Sequence, residues 1–412
     1  LHTETEKMSL RFDSKGDKAI AAGKVREFTE FNFVANASDS EVFLIETKED
    51  LMAFAKMAAN FAPYTIAKLA GQIDMTGEAW TPIEGFGSYI FDGNRGEGCY
   101  IKGLSAPLFN TTGAIIKNLD LVEVNIASNN RLILGAIACE ISHESVISEC
   151  HTSGTITVNN PSLALPSSVD SKLNIINIGG MVGLSTGGTL RNCVNEINIQ
   201  VDQLVKADNT TVVNPNIGGV VAGASYATLG DGTIQGTTVT GCVNGNEARS
   251  TGKINYHDGS TGMVLSPCIG GVAGLSWGQN TADLKGNTNY GAIDFNANSG
   301  GDFSISYTAT TIGGVFSYSC GAVEGNNNYG TITVSGGNIK SLVLGGVGGA
   351  VNPISFYDNH NHPGANISVS KDVTFQGLNV AGVLGSIATS GSIDTCTNDA
   401  AITVSASSAA DT

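Results

Sequence analysis

Between Lys117 and Val404 one arrangement of apolar and polar positions recurs eight times: an apolar residue, two others, Asn or Cys, one more residue, then usually Asn. The Asn/Cys positions are Asn118, Cys150, Cys193, Cys242, Asn287, Asn326, Asn359 and Cys396. Two residues further on stand Asn195, Asn244, Asn289, Asn328, Asn361 and Asn398, with Asp120 and Thr152 in the first two copies. Each copy is followed by an alternating apolar pair such as Ile156/Val158, Ile197/Ile199, Ile332/Val334 or Ile402/Val404. Alternation with period two predicts a strand with one buried face. A glycine phrase comes before most copies, as in Ile178-Gly-Gly-Met, Ile217-Gly-Gly-Val, Ile269-Gly-Gly-Val, Ile312-Gly-Gly-Val and Leu344-Gly-Gly-Val. Successive phrases from Ile178 to Val380 lie 39, 52, 43, 32 and 36 residues apart, the variation falling in polar stretches such as 159–174 and 203–214.

A unit that repeats at this spacing cannot bury its own apolar face and must stack on its neighbours. Three short strands per copy, separated by Gly and Asn, predict one triangular rung of a parallel β-helix, with rungs roughly 4.8 Å apart. The crossover rule makes it right-handed. The expected fold is therefore an all-β, right-handed parallel β-helix of about eight rungs, roughly 35–40 Å long, with a small N-terminal α/β cap. Inward aliphatic side chains stabilise it by roughly 1.5–3 kcal/mol each. The later Asn of each copy is expected at the turn, where it tolerates left-handed backbone and hydrogen-bonds from rung to rung.

The N-terminal part breaks the pattern. Thr47-Lys-Glu-Asp50 reads as a capping box, and Leu51, Phe54, Ala55 and Ala58 share one helical face. Residues 41–105 are assigned to an α/β cap with the opening rung, 106–404 to the repeats, and 405–412 to a tail. Residues 1–40 carry alternating segments (Met8–Phe12, Phe28–Val34) that suggest a small β element.

Composition narrows the function. Only 14% of residues are charged, and 37 Asp+Glu against 21 Lys+Arg leave a net charge of −16 with no basic stripe, which excludes nucleic acid as a partner. The longest apolar run, Leu342–Val351, is too short to span a bilayer. The chain opens on Leu1 rather than Met, which suggests a leader removed. None of the eight cysteines forms a CxxC pair, and four exchange with Asn between copies, so they are expected to be buried free thiols rather than zinc ligands or disulfides.

Met181-Val-Gly-Leu-Ser and Val272-Ala-Gly-Leu-Ser, each followed by a Cys/Asn-x-Asn phrase, resemble the bacterial GLUG-motif repeat. Thr47-Lys-Glu-Asp-Leu, Ile73-Asp-Met, Trp80-Thr-Pro-Ile and Ile101-Lys-Gly-Leu104 resemble the segment that leads into it, so the resemblance covers roughly residues 41–404. Such repeats occur in secreted and surface bacterial proteins, including non-peptidase parts of proteins named for immunoglobulin A protease. The resemblance implies an exported protein held at the outer cell surface, with a lipid-bearing cysteine upstream of Leu1. It implies no reaction.

Candidate chemistry is sparse. Gly183-Leu-Ser185-Thr-Gly187 and Gly274-Leu-Ser276-Trp-Gly278 match the nucleophile-elbow pattern but occupy equivalent repeat positions, which marks them as structural. His143-Glu144 lacks the second His of a zinc-peptidase motif. His360 and His362 beside Asp358 are the residues nearest to a metal set, and no metal or cofactor is assigned. Acid-rich loops lack calcium-loop spacing and read as solvated charge. Acids within the strands (Asp120, Glu149, Glu196, Asp294, Asp394, Asp399) fall in different columns, against the clustered carboxylates of a polysaccharide lyase or glycosidase. Aromatic residues stand out instead: Tyr290, Tyr329 and His362 share one repeat position, and Tyr226 and Trp277 follow the glycine phrase. An outward aromatic strip offers a platform for a glycan or a host or matrix protein. The sequence thus predicts a monomeric, non-catalytic adhesion or ligand-binding scaffold, the alternatives being a carbohydrate-active β-helix enzyme and a passive stalk.

Overall fold

The computed structural model describes residues 42–61, 65–85, 87–128, 131–159, 176–202, 215–258, 267–276, 283–297, 309–352, 355–387 and 392–408. The expectations for residues 1–40, the polar stretches 160–174 and 203–214, Trp277 and residues 409–412 lie outside the described residues.

The strands stack into four sheets of eleven, nine, fifteen and eight strands. Rung pairs with rung in parallel throughout the described registers, as in Ile156↔Ile199, Ile199↔Ile254 and Ile254↔Ile293. The molecule is a parallel β-helix. One antiparallel pairing departs from this, where Tyr226–Thr228 folds onto Ile234–Gly236. The interior is one continuous apolar cluster running from Ile45 to Val373.

A rung contains more strands than the three expected. Rung three comprises Asn177–Gly179, Val182–Thr186, Thr189–Arg191 and Val194–Asp202, each in a different sheet. The extra corner falls within the glycine phrase, at Gly180–Met181. A Cβ on Gly180 would overlap the backbone of Gly219 and the side chain of Asn195, and the same holds for Gly219 with Asn244, Gly271 with Asn289 and Gly314 with Asn328. The glycine column thus lies against the Asn column across the interior. Only a residue without a side chain lets the backbone come that close.

Stacking also begins earlier than the 105/106 boundary. The eleven-stranded sheet opens with Val42–Ile45, Ile66–Leu69 and Ile90–Asp92 before reaching Ile115–Lys117 of the first copy. Helix Lys48–Met57 covers this end. Thr47 caps it reciprocally with Asp50, and Leu51 and Phe54 are buried, Phe54 packing edge-on against Tyr89 at 5.5 Å.

The register corrects the first copy. Ile116 aligns with Ile147 and Lys117 with Ser148. Asn118 therefore falls opposite Glu149, and Leu119 rather than Asn118 takes the column of Cys150. An alternating Ile115/Ile116 pair leaves the frame ambiguous by one residue in sequence alone. Asn118 has φ 51° and shares that left-handed conformation with Glu149, Asn192, Asp358 and Thr395, while Gly241, Gly286 and Gly325 occupy the same place in other rungs. The left-handed turn thus belongs to the residue before the Asn/Cys column. The later Asn residues, expected at the turn, lie on strands and are fully buried from Asn195 to Asn361.

Both polar columns form hydrogen-bonded ladders. In the later column Thr152 Oγ1 donates to Asn195 Oδ1 at 2.8 Å, and Asn195 Nδ2 to Asn244 Oδ1 at 2.8 Å. The chain of bonds continues through Asn289, Asn328 and Asn361 to Asn398, at 2.7 to 2.9 Å. In the Asn/Cys column, Asn287, Asn326 and Asn359 each send Nδ2 back to the carbonyl of Val239, Leu284 and Val323 in the rung below. Cys193 and Cys150 direct Sγ at the equivalent carbonyls of Ile147 and Ile116. Asn and Cys exchange there because both donate to the same acceptor. All eight cysteines are free, and seven are buried.

Two predictions follow from these columns. Asn328→Ala leaves the amide of Gly330 without its acceptor and removes one of the two bonds of Asn289 Nδ2, whose other goes to Gly291 O, and is expected to cost about 1–3 kcal/mol, measured by denaturant unfolding. Glu149→Gly relieves a left-handed non-glycine residue and should raise stability by about 1 kcal/mol in the same measurement.

Candidate functional site

Two outward columns flank the later Asn ladder along one side of the molecule. The first runs from Asp120 through His151, Val194, Val243, Thr288, Asn327 and His360 to Thr397, each paired with the next. The second holds Ser153, Glu196, Gly245, Tyr290, Tyr329, His362 and Asp399; from Gly245 on, the amide of each bonds the carbonyl of the ladder Asn one rung below, as Tyr329 does with Asn289. Because side chains alternate across a strand, the residues on either side of the inward Asn project from the same outer face.

The N-terminal half of this flank is a ladder of polar side chains. Asp120 Oδ1 lies 2.5 Å from His151 Nδ1, His151 Nε2 lies 3.6 Å from Glu196, and Arg249 holds Glu196 through contacts of 3.0 and 3.1 Å. Arg95 stands 3.7 Å from Asp120 at the other end. Asn246 and Thr251 also donate to Glu196, so the turn between them folds back over the rung below. Glu196 and His151 are almost fully buried by this arrangement. Asp120 and Glu196 lie in different columns of the sequence and meet only because His151 spans the rung between them. Arg249 sits on a connecting turn, where the repeat carries no signal. Each carboxylate has an arginine beside it and shares His151, so the cluster ties successive rungs together.

The C-terminal half is aromatic. Tyr290 and Tyr329 stack with ring centroids 5.0 Å apart and planes at 17°, and Tyr329 and His362 at 4.1 Å and 3°. His362 Nε2 donates to Asn327 Oδ1 at 2.8 Å, which fixes its ring plane. Tyr329 keeps 38% of its surface exposed. This near-parallel stacking covers the ring faces between neighbours, so the stack shows solvent its edges and hydroxyls, a different surface from an open platform. Tyr226 does not join it. Its strand, Val221–Thr228, belongs to the sheet that follows the glycine corner, and Tyr226 pairs there with Gly236.

The remaining candidates separate. Ser185 and Ser276 are fully buried on strands, and Ser185 accepts from Thr237 Oγ1, which leaves neither placed as an exposed elbow. His360 bonds Asp358 and Thr397 while His362 bonds Asn327, so their nitrogens are directed at different partners. Among the described residues no group of three or more His, Cys, Asp or Glu is arranged to hold a metal.

Burial in the stack pulls the His362 imidazole below the ordinary histidine range, His360 adds to the effect, and Asp399 opposes it. The folded ring therefore binds its proton less readily than the unfolded one. The stability this contributes is complete above the ordinary value of about 6.5 and declines as pH falls through it. A histidine ring-proton titration by NMR is expected to show His362 titrating below that value, and an ordinary titration would contradict the stacked placement.

Comparison with known proteins supplies a sequence relationship and distant structural ones. No curated protein matches the chain. A solved structure of a candidate immunoglobulin A1 protease from Bacteroides ovatus aligns over 90% of this chain and 85% of its own, at 14% identity and a TM-score of 0.41. Residues 70–154, from the covered end of the solenoid into its second repeat copy, match the family model described as the M26 IgA1-specific metallo-endopeptidase N-terminal region, and over that segment the chain is similar to this family.

Proposed function

We propose that this chain is a non-catalytic β-helical scaffold, displayed outside a bacterial cell, that binds a protein partner through its aromatic flank. The observation that carries this reading is the Tyr290–Tyr329–His362 stack, which holds aromatic side chains in fixed, partly exposed positions on successive rungs. Rigid aromatic side chains give contact area with little loss of conformational freedom, the property that makes tyrosine frequent among residues dominating interfaces. A protein surface suits the stack better than a series of sugar rings. A pyranose needs an open aromatic face, and the internal faces here cover one another. The ring edges and Tyr hydroxyls remain available for side chains and backbone of a partner.

The non-catalytic reading draws on the mutual pairing of Asp120, His151, Glu196 and Arg249 and on the buried Ser185 and Ser276. It also agrees with the match at residues 70–154, whose description names an N-terminal region. Surface display accords with the resemblance of the repeats. No helix among the described residues is long and apolar enough to cross a membrane.

The test is an array of host and matrix proteins beside an array of glycans, probed with the intact chain and with Tyr329→Ala. Protein binding that weakens at least about 30-fold in the variant, the loss of a dominant contact residue, is the expected result. Binding confined to glycans, or protein binding indifferent to Tyr329→Ala, would refute the assignment. Release of reducing ends from polysaccharides would refute its non-catalytic part.

A further inference from the structure

Of the six ladder asparagines, Asn244 carries a chemical liability that the others lack. It is followed by Gly245, the sole Asn-Gly pair in the chain, whereas Asn195, Asn289, Asn328, Asn361 and Asn398 are followed by Glu196, Tyr290, Tyr329, His362 and Asp399. The fold imposes that glycine. Here the chain leaves the ladder in the turn that carries Arg249 and returns at Gly252, and Gly245 enters the turn with φ 82°. A Cβ on Gly245 would come within 2.6 Å of the Thr251 carbonyl oxygen and 2.8 Å of the Gly291 nitrogen, and a Cβ on Gly252 would overlap Gly245 itself. Clasping this turn over Glu196 therefore leaves no room for a side chain after the ladder residue.

An Asn-Gly pair deamidates spontaneously because no side chain hinders the approach of the glycine nitrogen to the asparagine amide. The Gly245 nitrogen gives up its proton and bonds to Asn244 Cγ, the Cγ–Nδ2 bond breaks, and Nδ2 leaves as ammonia with that proton. Water then opens the five-membered imide at either carbonyl, giving aspartate or isoaspartate. One water is consumed, one ammonia is released, and nothing is oxidised or reduced. The folded chain blocks each part of this sequence. The nucleophile is engaged, since the Gly245 N–H donates to the Asn195 carbonyl at 2.6 Å. The leaving group is held, since Asn244 Nδ2 donates to Gly252 O and to Asn289 Oδ1, both at 2.8 Å, while Asn244 Oδ1 accepts from Asn195 Nδ2 at 2.8 Å. The side chain cannot turn toward its own backbone without breaking these bonds, and its full burial keeps water out.

We propose that Asn244 is a site of covalent modification open only in the unfolded chain, and that its deamidation makes unfolding a one-way step. Neither product can rejoin the ladder. Aspartate sets a buried negative charge against the Gly252 carbonyl and Asn289 Oδ1, two acceptors that have lost their donor. Isoaspartate inserts a methylene into the main chain, which carries the residues after it out of step with Asn195 below and Gly291 above. The rung that gains a clasping turn thus also gains the one position at which time spent unfolded is recorded in the covalent structure.

Peptide mapping by mass spectrometry tests this on the intact chain, kept at mildly alkaline pH either in guanidinium chloride or in native buffer. In denaturant, conversion of Asn244 to aspartate and isoaspartate should outpace that of every other asparagine. In native buffer it should be at least about 1,000-fold slower, the ratio set by the small fraction of a folded protein that is unfolded at any moment. Gly245→Ala, assayed in denaturant where strain in the fold has no bearing, should remove the lead of Asn244 over the other asparagines. On dilution from denaturant, molecules that regain native circular dichroism should contain intact Asn244, and those that do not should carry the modified residue. The proposal is overturned if the native chain converts as fast as the unfolded one, if another asparagine leads in denaturant, or if modified and intact chains refold in equal proportion.

Discussion

The constraint on which the structure depends is the requirement that every amide buried along the solenoid axis find its partner one rung away. A buried amide without a partner costs more than a satisfied one gains. A rung displaced by one residue would therefore break the polar columns and turn its apolar side chains outward together. The register written into the Asn and Cys positions is in this sense stronger than that of the aliphatic columns alone, where Ile, Val, Leu and Phe replace one another freely. The glycine phrase obeys the same constraint from across the interior, since a side chain at Gly314 would occupy the space of Asn328.

Much of this was legible in the sequence because a solenoid repeats its physics. Asn287 and Asn326 had to stack if their phrases were equivalent, and Tyr290, Tyr329 and His362 had to align for the same reason. The misreadings fall where that equivalence is locally weak. Ile115 and Ile116 are interchangeable as apolar residues, which allowed Asn118 to be set one place out of frame. The glycine phrase reads as one strand because nothing in Ile-Gly-Gly-Val marks a corner until the opposing Asn is in place. Tyr226 is singled out in sequence by its place after the glycine phrase, and the corner within that phrase puts it in a different sheet from Tyr290 and Tyr329.

The polar ladder of the outer flank was illegible for a different reason. Asp120, His151 and Glu196 come from three rungs, and Arg249 belongs to a turn whose length is peculiar to one copy. Repeat periodicity describes what the rungs share. A cluster assembled from what individual rungs do not share leaves no periodic trace, and the same applies to any feature built on the connecting turns.

The two amide columns have a further property. In both, the carbonyl of each side chain points toward the preceding rung and one N–H of its amide is passed on to the following one, from Asn195 to Asn398 and from Asn287 to Asn359, while in the second column the other N–H returns to a main-chain carbonyl one rung below. Their dipoles therefore add along the axis, as peptide dipoles do along an α-helix, and each bond polarises the next. Each ladder is thus oriented, its positive end toward Asn398 and its negative end toward Asn195, within a chain whose net charge is −16. The solenoid therefore has a sense of direction that its net charge does not reveal.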